Sequence, residues 1–191
     1  MLETSLLKNV SKHIHLSDEE ITIFKSLITI KKLAKKTLLL QAGQDCRYLN
    51  YVDTGALRSY FVDKDGKEST IMFAISDWWI TDMYCYLNRK PAMMHIETIE
   101  ESTIFQLSRS NFDNLLEAAP KFERFFRILM QNAYTREQLR VMENLSATAE
   151  ERYDNFVIKY PQIVKQVTQK QIASYLGITP EFLSSLKKSK L

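Results

Sequence analysis

The 191-residue sequence predicts an α+β chain: a β-roll toward the N-terminus, then one long helix, then a C-terminal helix-turn-helix. Three observations carry this. Between about Leu38 and Leu107, short β-branched and aromatic runs alternate with turn signals, as in many short antiparallel strands. From Lys121 to Leu145 no Gly or Pro interrupts a helical pattern. Residues 168–188, TQKQIASYLGITPEFLSSLKK, set helix caps around a central glycine. The expected units are residues 1–120, a roll with flanking helices; 121–145, the long helix; and 146–191, the helix-turn-helix.

Residues 5–30 read as helical. Ser17-Asp-Glu-Glu20 forms a capping box, and Ile21, Phe24, Leu27 and Ile28 follow at helical spacing. In the strand region, Leu38–Leu40 runs into Ala42-Gly43, and Tyr48–Val52 into Asp53-Thr-Gly55. Leu57–Val62 and Ser69–Ala74 flank Asp63-Lys-Asp-Gly66, a hairpin whose Asp-Gly supplies positive-φ positions. His95–Ile99 and Thr103–Leu107 make another pair. Ser110 is a candidate cap for a helix bearing Phe112, Leu115 and Leu116. In the long helix after Pro120, Phe122, Phe126, Leu129 and Ala133 form one apolar stripe. Met130, Tyr134, Val141 and Leu145 form a second beside it. A helix apolar on two sides must bury both, one on the roll and one on a second copy, so a homodimer is expected.

At the C-terminus, Thr168-Gln-Lys-Gln171 is a capping box that opens a short helix with Ile172, Ala173 and Leu176 on its apolar face. Gly177 offers the left-handed residue that ends it. Thr179 caps the next helix, Pro180 opens it, and Leu183 and Leu186 face back. Together these define a helix-turn-helix whose second helix enters the major groove. Residues 152–191 carry seven basic and two acidic residues, a net +5, which leaves −2 on the other 151. A basic tail on a slightly acidic body points to a polyanion, here double-stranded DNA. Thr168, Gln169 and Lys170 are expected at phosphate, and Thr179, Glu181, Ser184 and Ser185 at base edges. Lys187 and Lys188 are expected on the DNA backbone. The alternative is a small-ligand or protein-interaction module with a degenerate helix-turn-helix that no longer reads DNA.

Composition excludes other classes. Apolar residues make up 45% and charged residues 26%, as in ordinary globular proteins. No apolar run approaches the ~18 residues of a membrane span, and Met1 to Val10 lacks the core of a secretion signal. A cytoplasmic chain with no membrane partner is expected. Cys46 and Cys85 are too few for a four-thiolate cluster and too far apart for a CxxC motif, so two reduced thiols are expected. His13, His15 and His95 do not make a ligand set, and neither metal nor cofactor is expected. No nucleophile–base set, Gly-rich phosphate loop or paired catalytic carboxylates carry a signature, so no enzyme is expected.

With roll, long helix and this C-terminus in that order, the chain resembles the Crp/Fnr family of bacterial regulators over nearly its whole length. Asp53-Thr-Gly-Ala-Leu-Arg58 and Asp63-Lys-Asp-Gly-Lys-Glu68 resemble the family's turns. Tyr160-Pro161 with Ile172 to Glu181 resembles one branch of its C-terminus. The resemblance implies a cyclic-nucleotide-binding-like β-roll, a dimerisation helix and a winged-helix-type DNA reader. Two places depart from it. Cyclic-nucleotide binders carry a Gly-Glu pair for the ribose and an Arg-Ser or Arg-Thr pair for the cyclic phosphate. Here Ser76-Asp-Trp-Trp-Ile-Thr-Asp82 and Pro91-Ala-Met-Met-His95 stand in those regions, with no arginine at the phosphate position. No response to cyclic AMP is therefore expected, and any effector is an unknown, more apolar small molecule. Trp78, Trp79, Asp82, Met93 and Met94 would lie near it, with Arg89 or Arg58 as cations within reach. In the second helix, Ser185 stands where an arginine is usual and Pro180 replaces a polar contact, which weakens guanine readout.

Overall fold

The computed structural model describes residues 3–188, so Lys190 of the basic tail lies outside the described residues. The chain opens on α1 (Glu3–Ser11) and α2 (Asp18–Leu27). Strands β1 (Ile28–Leu33), β2 (Leu38–Leu40), β3 (Tyr48–Thr54), β4 (Ala56–Val62), β5 (Glu68–Ile75) and β6 (Trp78–Ile80) follow. A short helix α3 (Met83–Asn88) precedes β7 (His95–Thr98) and β8 (Ser102–Ser108). Then come α4 (Arg109–Ala118) and the long α5 (Lys121–Ser146). The C-terminal unit is α6 (Ala149–Lys159), α7 (Pro161–Gln166), α8 (Gln169–Leu176) and α9 (Pro180–Lys188). It is helical throughout the described residues, so the expected wing strands are not among them. No described helix is long and apolar enough to cross a membrane.

The strands form two four-stranded antiparallel sheets, ordered β1-β8-β3-β6 and β2-β7-β4-β5. The β4–β5 hairpin turns at Asp63–Gly66 as the sequence predicts; the Asp63 carboxylate accepts the Asp65 and Lys67 N–H groups, and Gly66 takes φ +77°. Gly55 is needed for a second reason. It sits at φ +91°, and a Cβ there would lie 2.3 Å from Ser102 Oγ and 2.6 Å from the Glu101 carbonyl.

Three apolar clusters result. Val52, Leu57, Ala74, Ile80, Ile96 and Ile104 fill the space between the sheets. Leu49, Tyr51, Phe105 and Trp79 pack outward against Val10 of α1, Phe24 of α2 and the first turns of α5. Phe73 and Ile99 of the roll pack against Phe156, Tyr160, Ile163 and Ile172 of the C-terminal unit, so the roll and that unit share one core.

Three expectations are corrected here. The helix expected over 5–30 is broken: the Ser17 capping box starts α2, and Ile28 begins β1 on a sheet edge, because Ile28 and Ile30 alternate with polar residues. The cap of α4 is Ser108, whose hydroxyl accepts the Asn111 N–H, not Ser110. Phe122 and Phe126 do not face a second copy. Both are buried in the protomer, where the Phe122 ring packs tilted against Phe24 at 4.7 Å between ring centroids and Phe126 against Phe112 at the same distance.

Candidate nucleic-acid interface

The helix-turn-helix forms because both ends of α8 and the start of α9 are capped by their own sequence. Thr168 Oγ1 accepts the Gln171 N–H at 3.2 Å, and Gln171 Oε1 accepts the Thr168 N–H at 2.9 Å. Gly177 ends α8 at φ +69°, and the Ile178 N–H reaches back to the Ala173 carbonyl at 3.0 Å. Thr179 Oγ1 accepts the Phe182 N–H and starts α9. Ala173, fully buried, and Leu183 lie in the same core as Leu176, where the two helices cross.

The capping leaves one face polar and open. Thr168, Gln169, Lys170, Thr179, Glu181 and Lys188 are exposed. Ser185 is exposed as well, but its hydroxyl donates to the Phe182 carbonyl at 2.9 Å. Ser184 and Lys187 are half-buried, and the Lys187 ammonium lies 5.6 Å from the Tyr153 ring centroid. The nine residues expected from sequence thus fall on the two helices and the residues that cap their starts, seven of the nine on open surface. Pro180 and Glu181 begin α9, so Glu181 stands in its first turn.

Residues 30–119 match the family model for the cyclic nucleotide-binding domain. Over 186 residues the chain is 24% identical to the regulatory protein HlyX of Actinobacillus pleuropneumoniae, covering 90% of this chain and 75% of that one. It is equally identical over 183 residues to the fumarate and nitrate reduction regulatory protein of Vibrio cholerae, covering 90% and 72%. Among solved structures, the c-di-GMP responsive global regulator CLP of Xanthomonas campestris superposes with a TM-score of 0.74 at 13% identity, covering 91% of each chain. A transcriptional regulator of the Crp/Fnr family from Eubacterium rectale superposes at 0.73, with 16% identity, covering 91% and 83%. Over most of its length the chain is thus similar to regulators of the Crp/Fnr type, and its residues 30–119 to a cyclic nucleotide-binding domain.

The residues expected beside an effector are engaged within the protein. Asp82 is fully buried. Its Oδ2 accepts the Met93 and Met94 N–H groups at 2.8 and 3.2 Å, and Oδ1 accepts the Cys85 N–H at 3.3 Å at the start of α3. A resident carboxylate therefore occupies backbone donors in the stretch that reads Pro91-Ala-Met-Met. Arg58, 5% exposed, is held by Glu97 at 2.6 Å and Glu68 at 2.7 Å, with its guanidinium 4.0 Å from the Tyr60 ring centroid. It is not free to swing toward a ligand. Arg89 takes φ +53° beyond α3 and points to the surface, 3.9 Å from Asp113 of α4. Of the seven expected pocket residues, Asp82, Met93 and Met94 come together through these bonds, while Trp78 and Trp79 face α5 and Arg58 and Arg89 are engaged elsewhere. Both cysteines flank Asp82, and burial pushes both thiols above their usual range.

The C-terminal unit is held by contacts that no local sequence pattern marks. Arg140 of α5 donates to the Thr70 carbonyl at 3.1 Å and the Tyr175 carbonyl at 3.3 Å, and also to that of Ile71, while stacking on the Tyr175 ring. Past the buried Phe126, α5 turns outward. Leu129, Met130 and Ala133 border a cleft against β6, whereas Tyr134, Val141 and Leu145 are 69%, 57% and 84% exposed.

Proposed function

We propose that this chain is a cytoplasmic, dimeric DNA-binding regulator that reads duplex DNA through α8 and α9 and does not answer to cyclic AMP or cyclic GMP. The observation that carries the DNA reading is the open polar face of the helix-turn-helix, with Lys170 at the N-terminus of α8 and Lys188 at the end of α9. Backbone N–H groups and lysines of this kind hold phosphate and set the register for base contacts. Dimerisation is supported by the apolar side chains of Tyr134, Val141 and Leu145 on one stripe of a helix, left in water by the protomer.

The cyclic-nucleotide reading is opposed by Asp82. A cyclic phosphate entering a roll loses hydration and needs a cation with hydrogen bonds. Here the Met93 and Met94 N–H groups already serve a carboxylate, and Arg58 already serves two. A second anion beside Asp82 would meet repulsion instead. Calorimetry with both cyclic nucleotides tests this: no heat of binding up to millimolar ligand is expected, and a micromolar dissociation constant would overturn it.

A second reading, an interaction module that has lost DNA, is favoured by Ser185 and Lys187, whose polar groups turn onto Phe182 and Tyr153 within the protein. Binding to random duplex at low salt separates the two readings.

A further inference from the structure

One aromatic side chain interrupts the polar face of the helix-turn-helix. Phe182 follows Pro180 and Glu181 in the first turn of α9, and it is 51% exposed. It belongs to none of the three apolar clusters, whereas Leu183 and Leu186 are the buried residues of α9. Its backbone is fixed from both sides. The Phe182 N–H donates to Thr179 Oγ1 at 3.2 Å, and the Phe182 carbonyl accepts the Ser185 hydroxyl at 2.9 Å. A ring on a fixed backbone has two torsions left, so it loses little entropy when it lands on another surface.

The neighbouring groups limit what α9 can read. The hydroxyls of Thr179 and Ser185 are engaged in these two bonds, and the Lys187 ammonium lies against the Tyr153 ring. Pro180 borders the cleft toward the β4–β5 hairpin. Residues 168–188 contain no arginine, so the bidentate contact of a guanidinium to guanine is missing from the helix-turn-helix. Glu181 and Phe182 remain exposed in the first turn of α9. The Glu181 carboxylate accepts hydrogen bonds, and the Phe182 ring offers apolar surface alone. The apolar feature on the major-groove edge of a base pair is the thymine C5 methyl. We infer that Phe182 is a specificity-determining residue that selects thymine by packing its ring on that methyl. The inference rests on the DNA reading of α8 and α9 proposed above, and adds which base α9 selects and by what contact.

The test uses the full chain and a pool of DNA duplexes with a randomised centre, enriched by repeated rounds of binding at low salt. The enriched pool is copied once with thymidine and once with deoxyuridine triphosphate, so that the two copies differ only in the C5 methyl. Fluorescence anisotropy should show the deoxyuridine copy bound at least about fourfold more weakly, the effect of one methyl left unburied. Phe182→Ala should bind the thymidine copy more weakly than the parent does, and should bind both copies with equal affinity. Circular dichroism shows that the variant keeps its helices. If the parent does not bind even the unselected duplex at low salt, the DNA reading itself falls. If it does bind, two results overturn this inference alone: equal affinity of the parent for both copies, or a deoxyuridine penalty that Phe182→Ala retains in full.

Discussion

The Ser174 hydroxyl accepts the Thr70 N–H at 2.8 Å, and it donates to the Glu68 carbonyl at the same distance. β5 is the last strand of its sheet, so these backbone groups have no strand partner on that side. Ser174 of α8 and Arg140 of α5 satisfy them instead, and in doing so fix the helix-turn-helix to the roll.

This joint has a measurable cost when cut. Ser174→Ala removes both bonds and should lower stability by about 2 kcal/mol. Arg140→Ala removes three charge-assisted bonds and should cost about 3 kcal/mol. Arg140→Lys should not restore it, because a single ammonium cannot span carbonyls on β5 and α8 with the geometry of a guanidinium. Calorimetric unfolding checks this. Unchanged midpoints for Ser174→Ala and Arg140→Ala would show that the joint carries no stability.

The two ends of α5 should respond oppositely to substitution. Val141 and Leu145 touch little within the protomer, so Val141→Glu with Leu145→Glu should leave helical content intact while light scattering falls from about twice 22.4 kDa to that mass. Phe126→Ala, in the protomer core, should instead cost about 3–5 kcal/mol of folding stability. A dimer that survives both charges would remove this stripe from the interface.

Alkaline pH should loosen the same joint. Burial raises the pKa of Tyr160 and Tyr175, which lie between roll and C-terminal unit, and likewise that of Cys46 and Cys85. For acids whose folded pKa is raised, the stability is complete below the unfolded value and is lost as pH climbs past it. The ordinary values are 9.0 for the thiol and 10.0 for the phenol. The unfolding midpoint should therefore be insensitive to these groups up to about pH 8.5 and fall steadily toward about pH 11. A midpoint that rises over that range would contradict the assignment.

Much of this architecture is legible in the sequence where a residue's conformation is local. Gly66 and Gly177 take positive φ, and Thr168 with Gln171 caps by short-range geometry, so the hairpin and the helix-turn-helix can be read directly. Both caps of α8 fall where the sequence puts them. Periodicity, by contrast, reports that a residue is buried but not by what. Phe122 and Phe126 share a stripe with Leu129, yet α2 and α4 cover them and leave only the distal half of α5 for another copy. Short elements escape for a related reason: α3 shows no apolar stripe, since Tyr84 and Leu87 are exposed and the Asp82 cap starts it. The effector side was illegible because it depends on partners far along the chain. Arg58 looks available until Glu68 and Glu97 are folded against it.

The central claim is that α8 and α9 hold duplex DNA, and the salt dependence of binding tests it most directly. Fluorescence anisotropy with a random duplex from about 50 to 200 mM salt should show binding whose logarithm falls linearly with log salt. Lys170→Ala with Lys188→Ala should weaken binding to every sequence alike and flatten that slope by about two units, one for each phosphate that no longer meets a lysine. No binding at the lowest salt, or a double variant with the parent's affinity and slope, would contradict the account.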